Sequence, residues 1–132
     1  MAQQAAQMAI AFEEQRTDHA PLAVTAVLRV DTLVIALHGA LTPAEHALAA
    51  SPAGTAQVAE RHRQLFAGSS ESRRQGIKRI TGVDVREAAA EVGAATDTVV
   101  HAFSSGTIVQ MFQLAQNISA EIWKGNGRGK KP

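Results

Sequence analysis

Near the start of the chain, apolar and polar positions alternate and then give way to a continuous apolar run. Apolar side chains occupy every second position from Leu22 to Val30, which is typical of a strand with one strongly buried face. Leu33 to Leu37 (LVIAL) is nearly all apolar, so it predicts a buried strand. Only Asp31 and Thr32 separate the two segments, which predicts a β-hairpin.

The second strand leads through Gly39 into a helix whose start is marked by three residues. Thr42 can accept a hydrogen bond from the backbone N–H of Glu45, and the Glu45 carboxylate can accept one from the backbone N–H of Thr42. Pro43 occupies the first helical position, where its missing donor would have no intrahelical partner. These residues predict a structural helix cap for a helix that ends near Ala50.

Spacing and end signals predict three further helical segments. The first spans residues 2–16 and has a thin apolar stripe of Ala5, Met8, Ala9 and Phe12. The second begins at Ser51-Pro52, which repeats the cap followed by proline, and it ends at Gly68-Ser69-Ser70. The third spans about residues 71–80, ends at Gly82 and directs its basic side chains largely outward, namely Arg73, Arg74, Lys78 and Arg79.

The second half of the chain contains one ambiguous segment. Val83 to Glu91 has the intrinsic propensity of a helix, yet Val83 and Val85 alternate as they would in a strand. Asp97 to Phe103 predicts a clearer strand. Thr107 to Lys124 predicts the longest helix of the chain, with apolar residues at helical spacing, namely Ile108, Met111, Phe112, Ala115, Ile118 and Ile122.

The central part of the sequence resembles a known family. LVIALHGALTPAEHALA, followed by a helix with arginines and then by ITGVDV, resembles the MpsC-like family of small bacterial proteins, long described as a domain of unknown function. The resemblance covers roughly residues 10 to 105. It implies a β-hairpin before the LTPAE element, a strand over Val83 to about Ala89, and a last strand that ends at an aromatic residue, here Phe103.

The two ends of the chain depart from the family pattern. That pattern has a Gly-Arg-Gly-Pro loop between the first helix and the first strand, where this chain keeps only Pro21. Gly127-Arg128-Gly129 lies instead near the C-terminus. Either the sequence is a piece of a tandem protein, or the terminal segment takes the place of the missing loop within the same fold.

Together these segments predict an α+β domain. A mostly antiparallel sheet of about four strands packs one face against helices, and the N- and C-terminal helices cover the sheet or pair with another copy. Residues 1–124 form the single domain, and residues 125–132 form a flexible basic tail. The thin stripe of the first helix and the length of the last one favour a homodimer.

Composition excludes several classes of protein and of site. The 132 residues include no Cys, which excludes disulfides, thiol catalysis and thiolate-bound zinc. The formal charge of +1 creates no global field directed at nucleic acid or a membrane. No apolar run approaches the roughly 20 residues that span a bilayer, and the N-terminus lacks the basic lead-in of a signal peptide. We therefore expect a cytoplasmic protein.

The sequence offers little for catalysis or for metal binding. The five histidines include no H-x-x-x-H or H-x-H pair, so neither a metal nor another cofactor is expected. The loop serines lack a G-x-S-x-G setting. Glu45 is better explained as a capping residue than as a catalytic acid, and we expect the protein not to be an enzyme.

Arginines supply the candidate contact site. The candidates for contacting an anion or a partner are Arg61, Arg63, Arg73 and Arg74 on the predicted helices and Arg128 in the tail. Acidic residues interrupt this set, and no aromatic residue lies beside it for stacking because Phe66 faces inward. A solvated helix face is therefore the simpler interpretation.

Three hypotheses about function remain. The family resemblance implies a soluble accessory or regulatory partner of a bacterial cation-translocating, membrane-potential-generating system, which would contact a membrane-complex protein without spanning the membrane itself. The arginine-bearing helices and the basic tail would instead suit a small nucleic-acid-binding module. A small hydrolase has the least support.

Overall fold

The fold is an antiparallel sheet with helices packed against one face. The computed structural model describes residues 1–92 and 107–124. Its four strands form one sheet in the order β1-β2-β4-β3, and the predicted α+β class is confirmed. The elements in this part of the chain are α1 (Ala2–Thr17), β1 (Ala23–Arg29), β2 (Thr32–His38), α2 (Pro43–Leu48), α3 (Pro52–Thr81), β3 (Val85–Val92), β4 (Ile108–Leu114) and α4 (Ala120–Lys124).

The β1–β2 hairpin forms as predicted, with its turn one residue earlier. Arg29 pairs with Thr32, so the turn consists of Val30 and Asp31. Val30 adopts a left-handed φ of 59°, which is rare for a β-branched residue. The inward residues of β1 are only half-buried, because β1 lies at the edge of the sheet, and the prediction of a strongly buried face was wrong.

The core lies between the helices and the two central strands. Leu33, Ile35 and Leu37 of β2 have no exposed surface, and they alternate with half-buried residues. The partner strand β4 contributes Ile108, Phe112 and Leu114. From the helices come Ala5, Ala9, Val58, Phe66 and Ile77.

Helix α3 runs without a break for 30 residues, from Pro52 to Thr81. The predicted break at Gly68-Ser69-Ser70 was wrong. The Ser69 hydroxyl donates to the Leu65 carbonyl at 3.0 Å and accepts from Arg73 Nε at 2.7 Å. Both bonds of the hydroxyl lie within the helix, so Ser69 is accommodated there without ending it.

The predicted long helix over Thr107 to Lys124 was also wrong. Residues 108–114 form β4 in the middle of the sheet, and only Ala120–Lys124 is helical, with Trp123 buried. The apolar residues of this segment fit both the helical and the strand period, and hydrogen bonding to β2 and to β3 stabilises the strand.

The ambiguous segment after α3 is a strand, as the family resemblance implies. Helix α3 ends as predicted at Gly82, whose left-handed φ is 77° and whose N–H donates to the Lys78 carbonyl. Strand β3 follows and pairs with β4. The strand predicted over Asp97 to Phe103 and the tail predicted over residues 125–132 lie outside the described residues.

Candidate functional site

The helix cap at the start of α2 forms as predicted and also contacts α3. Glu45 N donates to Thr42 Oγ1 at 3.2 Å, and Thr42 N donates to Glu45 Oε1 at 2.9 Å, while Pro43 opens the helix. The other carboxylate oxygen, Glu45 Oε2, accepts from His62 Nε2 at 2.9 Å and lies 3.3 Å from Arg61 Nε. One carboxylate therefore joins α2 to α3.

Burial and hydrogen bonding act on Glu45 in opposite directions. Burial raises its pKa, but the bond from the Thr42 backbone N–H and the neighbouring His62 and Arg61 outweigh that effect, so the pKa lies below its ordinary value of 4.5. Arg61 is 59% exposed, so water screens its charge and its contribution is small. The carboxylate is therefore ionised at neutral pH.

Replacing Glu45 with glutamine is expected to lower the free energy of unfolding by about 1–2 kcal/mol at neutral pH. The amide oxygen can still accept from Thr42 N, but the charge facing His62 and Arg61 is lost. Because folding lowers the pKa of Glu45, its ionisation stabilises the fold above pH 4.5, and this effect is lost as the pH falls through the folded-state pKa. Urea denaturation from neutral to acidic pH should show the two proteins converging.

The matched control is Glu60→Gln on α3. Glu60 pairs with Arg63 at 2.7 Å, but the two side chains are 57% and 43% exposed. We expect a change of less than about 0.5 kcal/mol at any pH. A Glu45→Gln difference that stays constant with pH would contradict the role assigned to the carboxylate.

A second cluster lies around Arg73, whose side chain is 1% exposed. Its Nε donates to Ser69 Oγ at 2.7 Å, and its Nη1 donates to Gln110 Oε1 at 3.3 Å. Its Nη2 lies 3.5 Å from Glu13 Oε2. A single guanidinium thus contacts α1, α3 and β4.

Two aromatic rings flank the Arg73 guanidinium, and burial shifts its pKa. The guanidinium carbon lies 4.7 Å from the Phe12 ring centroid and 5.3 Å from that of Phe66. Burial lowers the pKa of Arg73 to about 10 although Glu13 opposes this, so the group is cationic at neutral pH. Burial also raises the pKa of Glu13, against the influence of Arg73 and His62. Glu13 Oε1 has no hydrogen-bond partner among the described residues.

The predicted contact arginines do not form one surface patch. Arg73 was predicted to face outward, and that prediction was wrong, because Glu13 of α1 gives its charge a buried partner. Arg61 and Arg63 lie on the surface beside carboxylates. Arg74 Nη1 donates to the Val85 carbonyl at 3.4 Å. Arg128 lies outside the described residues.

Three members of these clusters were not predicted from the sequence, namely Glu13, His62 and Gln110. A signal existed for Glu13, because it continues the four-residue spacing of the buried residues Ala5 and Ala9. His62 lies on the inward side of α3, where a polar residue needs a partner. Gln110 had no such signal, since it belongs to the segment that was taken for a helix.

The described residues show no metal site and no deep cleft. In residues 1–92 and 107–124, no three His, Asp or Glu side chains gather as they would around a metal ion. A groove of about 600 Å³ lies between α3 and β3, beside Phe66, Ser70 and Ala89. Each cluster pairs its own charges: the Glu45 cluster joins α2 to α3, and the Arg73 cluster joins α3 to α1 and to β4.

The family comparison covers most of the chain. A family described as "Na+-translocating membrane potential-generating system (MpsC)" matches residues 1–105. The chain belongs to the MpsC family. The resemblance carried by the LTPAE element is thereby confirmed, and the matched region contains every residue of the two clusters except Gln110. No curated protein and no solved structure matches this MpsC-family chain.

None of the helices in the described part of this MpsC-family protein combines the length and the apolar character that crossing a bilayer requires. Even α3, with 30 residues, carries charged side chains along its length and has Arg73 buried within it. Membership of the family connects the chain to a Na+-translocating, membrane-potential-generating system.

Proposed function

We propose that this MpsC-family chain is a non-enzymatic accessory or regulatory component of a Na+-translocating, membrane-potential-generating system. The family match over residues 1–105 is the observation that carries the proposal. In this role the chain works in the cytoplasm and binds a protein of the membrane complex.

The pairing of the buried polar groups with partners inside the chain supports a binding role rather than a catalytic one. Both oxygens of Glu45 accept hydrogen bonds within the chain, and Arg73 has protein partners on Nε and both Nη atoms. Buried groups that are paired in this way hold the elements of the fold together, which is the structural role that the proposal gives them. A fixed surface is what an accessory protein offers to its partner.

The nucleic-acid-binding alternative keeps fewer accessible arginines on the helices than the sequence suggested. Arg73 is buried, and Arg61 and Arg63 lie within 3.3 Å and 2.7 Å of carboxylate oxygens. A phosphate would have to compete with Glu45 and Glu60 for these two guanidinium groups.

The test is a gene deletion followed by addition of the purified protein. Inverted membrane vesicles from the deletion strain are expected to build a smaller Na+-dependent potential, measured with a voltage-sensitive dye, and the added wild-type chain should restore it. Right-side-out vesicles should not respond, because the added protein cannot reach the cytoplasmic face. An equal Na+-dependent potential with and without the chain would refute the proposal.

A further inference from the structure

The sheet face that points away from the helices carries an open apolar band beside polar rows. One row of paired residues crosses all four strands in register: Val27, Val34, Met111 and Ala89. Val27 is 44% exposed and Met111 is 48% exposed. The adjacent row consists of Thr25, Ala36, Val109 and Glu91, so the half-buried Ala36 and Val109 extend the band only at the centre of the sheet. Such a continuous apolar band on a folded chain marks an interaction surface.

Charges and shape distinguish the two halves of this open face. The row on one side of the apolar band consists of Arg29, Thr32, Gln113 and Glu87. The two edge strands therefore carry opposite charges at the two ends of this row. A depression of about 300 Å³ lies on the β3 side, where Glu87, Ala89 and Met111 contribute to its lining. The β1 side carries the larger side chains of Val27 and Arg29. The β1 half of the face thus carries Arg29 and the larger side chains. The β3 half carries Glu87 and the depression.

We propose that this face binds the same face of a second copy of the chain. The two copies are related by a two-fold axis that runs along the strands, in the plane between the two sheets. This axis places β1 of each copy over β3 of the other and keeps each row over itself. Arg29 then faces Glu87 of the partner subunit, and Val27 enters the depression beside Ala89, twice in each dimer.

The charge pattern selects this axis over the other way of stacking two faces. An axis running across the strands would place each strand over itself. Arg29 would then face β1 of the second copy, which has Ala23, Thr25 and Val27 on this side and no carboxylate. The chosen axis forms two Arg29–Glu87 contacts, and two sheets stacked in this way keep their strands within about 30° of each other, as sandwiches do.

The size of the face sets the expected strength of the dimer. Four strands of about seven residues cover roughly 450 Å² in projection, a small face beside standard interfaces, which bury roughly 800 Å² of accessible surface per partner. We therefore expect a dimer that dissociates on dilution. The surface differs from the one that the sequence suggested, because α1 packs on its own core and residues 107–124 form no long helix.

Sedimentation velocity of the full chain over a range of concentrations tests the proposal. Wild-type protein should shift from monomer to dimer as the concentration rises. Met111→Asp should remain monomeric with unchanged circular dichroism and thermal unfolding, because Met111 is outside the core.

Arg29→Glu and Glu87→Arg should each weaken the dimer by about tenfold or more, and the double variant should restore it. Glu14→Arg, on the exposed side of α1, is the matched control and should change nothing.

Each other outcome overturns a stated part of the proposal. A wild-type chain that stays monomeric at millimolar concentration would refute the dimer. A dimer that survives Met111→Asp would show that another surface is used. Failure of the double charge exchange to restore what the single exchanges weaken would refute the axis. A monomer whose Met111 resists oxidation would show that the chain's own residues cover the face.

Discussion

Replacing Arg73 with alanine is expected to lower the free energy of unfolding by about 3–5 kcal/mol, the cost of removing one partner of a buried ion pair. Without the guanidinium, Glu13 must take up a proton or remain a buried, unpaired charge. The space between the Phe12 and Phe66 rings would become a cavity, which adds to the loss. Urea denaturation followed by circular dichroism measures the change.

The sign of the pH dependence of Arg73→Ala follows from Glu13. Folding raises the pKa of Glu13, so the folded state binds more protons on this group than the unfolded state does. Stability is therefore lost as the pH rises from 4.5 through the folded-state pKa, and the variant should become less stable over that range. Deprotonation of Glu13 then lowers the free energy of unfolding more in the variant than in the wild type, because the Arg73 cation is gone.

Two further proteins control this experiment. Arg79→Ala removes an exposed arginine from the same helix and should cost less than about 0.5 kcal/mol. The double variant Glu13→Gln/Arg73→Met removes both charges together. Its free energy of unfolding should fall by less than that of Arg73→Ala alone. An Arg73→Ala protein as stable as the wild type would contradict the buried ion pair.

Gly54→Ala should have the second largest effect and lower the free energy of unfolding by about 2–3 kcal/mol. Gly54 lies in the first turn of α3, and its N–H donates to Ser51 Oγ at 3.0 Å. A β-carbon at this position would overlap the carbonyl oxygen of Leu48 at the end of α2. The overlapping oxygen belongs to the backbone at the end of α2, and the β-carbon would be fixed to the backbone of α3. The overlap can therefore be relieved only if the two helices move apart.

The same exchange at Gly68 provides the control, in the same helix. Apart from its chain neighbours and the backbone of its own helix, no described atom lies within 4 Å of the position that a β-carbon would take. Alanine restricts the unfolded chain more than glycine does, so Gly68→Ala should stabilise the protein by about 0.5–1 kcal/mol. Thermal unfolding of both variants measures the contrast. Destabilisation by Gly68→Ala would contradict a helix that continues through this residue.

Elements with local signals could be predicted from the sequence. The cap of α2 forms within four residues of chain, since Thr42 and Glu45 satisfy each other's backbone donors. The hairpin was also evident, because its two strands are adjacent in sequence. Strand β3 needed the family resemblance, because its alanine-rich sequence has helical propensity that pairing with β4 overrides.

Features that depend on distant residues could not be predicted in this way. The bond between Arg73 and Gln110 spans 37 residues, and neither residue alone indicates a buried partner. Within α3 the Arg73 guanidinium also donates to Ser69, a bond that the Gly68-Ser69-Ser70 sequence does not indicate. A charged residue is assigned to the surface by default, so the Arg73 cluster remained hidden until the fold brought its members together.

The position of β4 has a consequence for how the chain matures on the ribosome. This strand lies beside β2 in the middle of the sheet, although it is made about 70 residues after β2 and beyond residue 105, where the family match ends. The nascent N-terminal hairpin must therefore wait with one apolar edge unpaired until residues 108–114 have been made. Chains released before Leu114 would keep that edge open, and such edges recruit other nascent chains into aggregates.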